Sequence, residues 1–310
     1  MSHTNTLQHL ISMKSLDRDM IEAILNKAEY FLHDAIPNNK VTDSLKDRIV
    51  ANLFFEPSTR TRNSFIIAAK RLNATVVLNP HLPHSAVVKG ESLLDTIWTF
   101  EAMGVSDFII RHAENGLPEW VSQELKTSAA VINAGDGTNQ HPTQALIDLL
   151  TIRQHKKSWE SLTVTIIGDI IHSRVAHSLI DGLTLMGVAQ IHLVAPPKLL
   201  PDHELPENIL TFNSLEDGIK DSDVIVTLRI QKERHEKLDD SEFNSFREHF
   251  CLTKQKLTLA KSNAIILHPG PMNRDVEIAS EVADSSQSVI LKQVHNGIGI
   301  RMAVFDLLRT

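Results

Sequence analysis

The chain has 310 residues, with 31 Lys and Arg against 38 Asp and Glu for a formal net charge of −7, and 42% hydrophobic residues. This composition excludes a mainly disordered chain, and the acidic balance argues against broad nucleic-acid binding, which needs basic surface to displace counterions. The single cysteine, Cys251, rules out an intrachain disulfide framework and a Cys-rich zinc site.

The length suits about two domains of roughly 150 residues each. No run of about 18 apolar residues is present, so no membrane span is expected. Met1–Asn5 is not a basic region followed by an apolar stretch, and no secretory signal is read there. The expected location is cytoplasmic.

In chain order, apolar positions at helical spacing between Leu16 and Leu32 predict a first helix, with Asp17, Asp19 and Glu22 near its start. Strands are expected at Ile49–Phe55, Ala74–Leu78, Phe108–Ile110 and Val131–Asn133. Helices alternate with them at Thr59–Arg71, Ser92–Met103 and Pro118–Thr127. A helix from Pro142 to Gln154 follows, with proline in the first turn, where a missing N–H costs nothing.

Beyond the polar stretch His155–Ser161 the alternation resumes. It runs through Leu162–Ile167, Ser173–Met186, Gln190–Val194, a Pro-rich loop to Pro206, Val224–Thr227 and Ala264–Leu267, and closes with a helix over Gly297–Leu308. Alternating strands and helices predict an α/β fold: two Rossmann-like domains, each a parallel sheet flanked by helices, with an interdomain cleft. The expected division is 1–150, 151–295 and a C-terminal helix, 296–310, that returns to the first domain.

Several segments carry candidate chemistry. In Glu56-Pro57-Ser58-Thr59-Arg60-Thr61-Arg62 a strand ends and a helix opens. Helix N-termini offer free N–H groups and partial positive charge to a phosphate. Ser58, Thr59 and Thr61 add hydroxyls, and Arg60 adds a planar fork. An N-cap flanked by surface arginines is the plain alternative.

In Asn133–Gln144, His141 and Gln144 share the first turn of a helix, where they can read an amide-like group; a capping His and a solvated Gln is the plainer reading for the pair alone. Ile167–Arg174 looks like a Rossmann turn, but only Gly168 of the G-x-G-x-x-G pattern is present, so dinucleotide binding is poorly supported. Arg174 opens the next helix. Arg229 and Gln231 alternate after a strand and can face one anionic ligand.

His268-Pro269-Gly270-Pro271 makes a rigid turn whose carbonyls can accept from an NH2 group, with a purely structural turn the equal alternative. Ser85 and Lys89-Gly90-Glu91 lie in a polar loop, and Arg111-His112 end a strand. His81 and His84 have no HExxH or cysteine partner, and no metal is expected.

Taken together, Ser58–Arg62, Arg111-His112, His141-Pro-Thr-Gln144, Gly168-Asp169 and His268-Pro269 resemble the aspartate and ornithine carbamoyltransferase family, in the correct order and nearly end to end. Lys89-Gly-Glu91, His172-Ser-Arg174, Arg229-Ile-Gln231 and His268–Arg274 point to the aspartate branch. An ornithine enzyme would show His-Cys-Leu-Pro at the last position and an acidic acceptor loop.

The resemblance implies carbamoyl transfer from carbamoyl phosphate to the α-amine of L-aspartate, the second step of de novo pyrimidine synthesis. It implies Ser58, Thr59, Arg60, Thr61 and Arg111 on the phosphate, and Thr61, Arg111 and His141 on the carbamoyl oxygen. Gln144 and the backbone of Gly270 and Pro271 would meet the carbamoyl NH2. Arg174, Arg229, Gln231 and Lys89 would bind aspartate. Ser85 and Lys89 would reach a neighbouring subunit's site in a homotrimer.

Neither cofactor, metal, nucleic acid nor membrane is implied. Regulatory chains or a dihydroorotase are the further partners that the resemblance raises. Transfer to another amine, or a catalytically silent paralogue that binds a partner enzyme, are the competing readings.

Overall fold

The computed structural model describes residues 7–38, 40–78, 92–230 and 240–308. The chain forms two compact units, Met1–Ile147 with His295–Thr310, and Asp148–Val294.

The first unit opens with an extended segment whose Leu10 exchanges backbone bonds with Val131 and Asn133. Helix α1 (Arg18–Tyr30) is capped by Asp17, whose carboxylate accepts the Met20 N–H at 2.7 Å. It continues into a π turn, Phe31–Ala35. Then come β1 (Ile49–Phe54), α2 (Thr59–Arg71), β2 (Thr75–Leu78), α3 (Leu93–Ala102), β3 (Asp107–His112), α4 (Leu117–Glu124), β4 (Ala130–Asp136) and α5 (Pro142–His155).

The four strands pair in parallel in the order β2-β1-β3-β4. Chain order reverses direction between β1 and β3, so the crevice at their carboxyl ends is the switch point where ligands of open α/β sheets bind. Ala51, Leu53, Phe108, Ile110 and Val131 pack on Ile97 of α3 and on Leu117 and Val121 of α4. Strands β1 and β4 are buried almost throughout, as parallel strands covered on both faces must be.

The second unit holds β5 (Thr163–Ile167), α6 (Arg174–Met186), β6 (Gln190–Val194), β7 (Ile209–Phe212), α7 (Leu215–Ile219), β8 (Val224–Thr227), α8 (Asp240–Phe250), α9 (Lys254–Leu257), β9 (Ile265–Leu267), α10 (Ser280–Ala283) and the start of α11 (Ile290–Leu307). Its parallel order, β7-β6-β5-β8-β9, places the switch point between β5 and β8. The expected pair of parallel sheets with covering helices is therefore present.

Three differences have local causes. The helix expected over Pro118–Thr127 stops at Glu124, because the buried Glu101 carboxylate takes the Lys126 and Thr127 N–H groups at 2.9–3.1 Å. Strand β7 was not expected; only Ile209 of its four residues is buried, so no alternation marks it.

The closing helix begins at Ile290, before the expected Gly297. Gly297 and Gly299 resemble a helix boundary in sequence, yet they lie inside α11. A Cβ at Gly299 would sit 2.6 Å from Leu32 Cγ and 3.0 Å from the Ala28 carbonyl oxygen, so glycine there permits close packing on α1. Among the described residues no helix is long and apolar enough to cross a membrane.

Candidate active site

In the first unit three neighbouring strand ends meet. Phe54 of β1 is the register partner of Arg111 on β3, and the Phe55 N–H donates to the Arg111 carbonyl at 2.9 Å. Pro57 ends the strand conformation and Ser58 becomes the N-cap of α2. Its backbone is extended and its hydroxyl makes no capping bond to the helix. Ser58 and Thr61 are half-buried, and Thr59 and Arg60 are exposed at the first turn. The buried Asn52 on β1 donates to the Arg62 carbonyl at 3.2 Å and ties this turn to the sheet.

Arg111 Nη1 donates to the Ala134 carbonyl at 3.2 Å, and its Nε lies 3.5 Å from Glu56 Oε2. The guanidinium is thus anchored on β4 while carrying its charge beside the Ser58 loop.

Asp136 fixes the loop that presents His141. Its Oδ1 accepts from Asn133 Nδ2 and the Gln140 N–H; its Oδ2 accepts from Asn139 Nδ2 and the Gly116 N–H, all at 2.7–3.0 Å. Gly137 has φ +43°, and a Cβ there would stand 1.9 Å from Asn115 Oδ1. His141 and Gln144 are buried, and the Gln144 N–H donates to the His141 carbonyl. The signal for Asp136 in the sequence is an Asp between two glycines, Gly135 and Gly137, at a strand end.

In the second unit the ends of β5, β8 and β9 are neighbours. Leu228 N–H donates to the Ile167 carbonyl at 2.8 Å. Gly168, at φ +132°, leaves room for Leu228, whose Cβ would lie 2.9 Å from an added Cβ. This glycine therefore serves strand packing and not a dinucleotide loop. Arg174 is the buried first residue of α6, behind the Ser173 N-cap that accepts the Ala176 N–H at 3.1 Å. Asp169 and His172 pair in the same loop at 3.0 Å. Arg229 is half-buried two residues after β8.

Beyond β9, Gly270 has φ +66° and the Gly270–Pro271 bond is cis. Ser85, Lys89 and Gln231 lie outside the described residues. Among the described residues no group of His, Cys, Asp and Glu is arranged to hold a metal ion.

Each unit thus gathers cationic and polar groups at its own switch point. Residues 8–154 match the family model "Aspartate/ornithine carbamoyltransferase, carbamoyl-P binding domain", and residues 160–308 match its "Asp/Orn binding domain". The chain belongs to the aspartate/ornithine carbamoyltransferase family.

Within this carbamoyltransferase family, the chain is 59% identical over 299 residues to an aspartate carbamoyltransferase catalytic subunit of Coxiella burnetii, covering 96% of this chain and 95% of that one. It is similar to the Trypanosoma cruzi aspartate transcarbamoylase solved with carbamoyl phosphate and aspartate, at TM-score 0.86 and 30% identity over 97% of each chain. The catalytic subunit of M. jannaschii aspartate transcarbamoylase aligns at TM-score 0.84 and 33% identity, over 97% of this chain and 98% of that one.

Proposed function

We propose that this chain transfers the carbamoyl group of carbamoyl phosphate to the α-amine of L-aspartate, releasing phosphate and N-carbamoyl-L-aspartate, the precursor step of pyrimidine synthesis named above. The observation that carries the reading is that each unit has a switch point suited to an anion: hydroxyls, a helix N-terminus and Arg111 in the first unit, Arg174 and Arg229 in the second.

The phosphate is held by Ser58, Thr59, Arg60 and Thr61, with Arg111 beside them. Amide N–H groups at the start of α2 point at the anion, and the helix dipole favours it. Thr61, Arg111 and His141 donate to the carbamoyl oxygen. Gln144 and the carbonyls of Gly270 and Pro271 receive the NH2 group. Arg174, Arg229, Gln231 and Lys89 hold the carboxylates of aspartate.

The amine forms a bond to the carbamoyl carbon, and the carbon–oxygen bond to phosphate breaks. Negative charge grows on the carbonyl oxygen, where fixed donors stabilise it; one such donor is worth about 2.7–4 kcal/mol. Two anionic substrates repel each other, and Arg60, Arg111, Arg174, Arg229 and Lys89 offset that repulsion. Holding the reactants side by side adds an entropic advantage. The departing phosphate takes the amine proton, so no side-chain base is required. A single substitution that abolished turnover while leaving binding of both substrates intact would reveal such a base.

The active unit is a homotrimer to which Ser85 and Lys89 contribute across a subunit boundary. The reading is tested by turnover with aspartate, ornithine and related amines as acceptors. N-carbamoyl-L-aspartate formation with aspartate strongly preferred is expected; preference for another amine would overturn the acceptor assignment.

A further inference from the structure

The turn from His268 to Glu277 is held from beneath by groups to which the reaction above gives no part. The His268 and Glu277 side chains are fully buried. His268 Nδ1 accepts the Gly270 N–H at 2.8 Å, so the ring proton sits on Nε2, which donates to Glu277 Oε1 at 3.1 Å. The same oxygen accepts the Asn273 N–H. Gln293 on α11 is 2% exposed. Its Oε1 accepts the His268 N–H at 3.0 Å, and its Nε2 donates to Asp148 Oδ1 on α5 at 2.6 Å.

Asp148–Gln293 and the His268 ring–Glu277 are thus two buried hydrogen-bonded pairs that meet at His268, the first on its backbone N–H and the second on its imidazole. Burying four such side chains is costly, and an apolar filling would hold a plain chain reversal at least as well. Two prolines already restrict the backbone here. What the two polar pairs add is orientation: the Gly270 N–H is committed to the imidazole, so the direction of the peptide planes that follow is set by where that ring is held. Such networks fix one conformation among several of similar energy.

We propose that Gln293, with the His268–Glu277 pair, is a positioning residue that aims the Gly270 and Pro271 carbonyls at the carbamoyl NH2 group. This rests on the reading above that these carbonyls receive that group. A substrate whose N–H donors meet well-aimed acceptors is separated from an analogue that lacks them.

The test compares three ligands of the full chain: carbamoyl phosphate as substrate, and acetyl phosphate and inorganic phosphate as competitive inhibitors. Acetyl phosphate carries a methyl group in place of NH2. Gln293→Met matches the side chain in size and makes neither bond. It is expected to lower kcat/KM for carbamoyl phosphate by about tenfold, roughly one hydrogen bond's worth, while both inhibition constants stay within about twofold. Gln293→Asn, one methylene short, is expected to show the same selective loss and serves if the methionine variant does not fold. Glu277→Gln keeps an oxygen acceptor and is expected to lose less than about threefold.

Equal weakening of all three ligands, or no change in any, would overturn the proposal. A wild type that bound acetyl phosphate as tightly as carbamoyl phosphate would overturn the carbonyl assignment itself. A discriminating wild type with equally discriminating variants would overturn the positioning role alone.

Discussion

Arg60 stands exposed on the first turn of α2, away from the buried Phe65, Ala68 and Ala69 that seat the helix. Arg60→Ala should therefore cripple carbamoyl transfer while changing unfolding free energy by less than about 0.5 kcal/mol, the usual range for surface substitutions. Urea denaturation beside a carbamoylation assay checks it; loss of folding would make the arginine structural. His141 answers to a different test. The bond proposed from it to the carbonyl oxygen would strengthen as charge develops, so His141→Ala should lower kcat by about 10²–10³-fold. A change confined to KM would contradict that role. Asp136 has no substrate to hold, yet four donors converge on its two oxygens. Asp136→Asn turns one oxygen into an NH2 facing donors, and about 1–3 kcal/mol of stability should be lost, read from the urea midpoint.

His9 ties the extended N-terminal segment to β4, because its Nδ1 accepts the Val131 N–H at 3.1 Å. Burial holds this imidazole below its ordinary value of 6.5. The folded chain thus binds the proton less tightly than the unfolded one. The stabilising contribution is complete above pH 6.5 and is lost as the pH falls through the lower folded value. Urea melts of wild type and His9→Gln at pH 7.5 and pH 5.5 should show their difference shifting toward the variant in acid. A gap independent of pH would contradict this.

The elements also show what was legible beforehand. Gln190–Val194, Val224–Thr227 and Thr59–Arg71 match the sequence reading residue for residue, since each is an apolar or amphipathic run with clear boundaries. Elements such as β7 and the first turns of α11 escaped because exposed edges and tightly packed glycines mimic loops. Ser58–Thr61, the residues proposed to hold the phosphate, stand out in the sequence because they are contiguous. The chain Asp148–Gln293–His268 does not, because it joins positions 145 and 25 residues apart.

Two units that each place cationic groups at a switch point suit a reaction of two anions. If Ser85 and Lys89 serve a neighbour, Lys89→Ala and Arg60→Ala proteins should be inactive alone and regain activity when dissociated, mixed and reassembled, because hybrid trimers then contain some site with neither lesion. Absence of any recovery, in mixtures shown by sedimentation to have reassembled, would place Lys89 in the site of its own chain or in none.

The most direct measurement is calorimetric binding of N-(phosphonacetyl)-L-aspartate, a single molecule that joins both anions, to the wild type, Arg60→Ala and Arg174→Ala, with inorganic phosphate as the second ligand. Truncating either arginine should weaken the joined molecule by about 2–5 kcal/mol, the cost of unpairing a held charge, whereas phosphate alone should respond to Arg60→Ala and ignore Arg174→Ala. Undiminished binding of the joined molecule to the Arg174→Ala protein would contradict the claim that both units hold the reactants of one transfer.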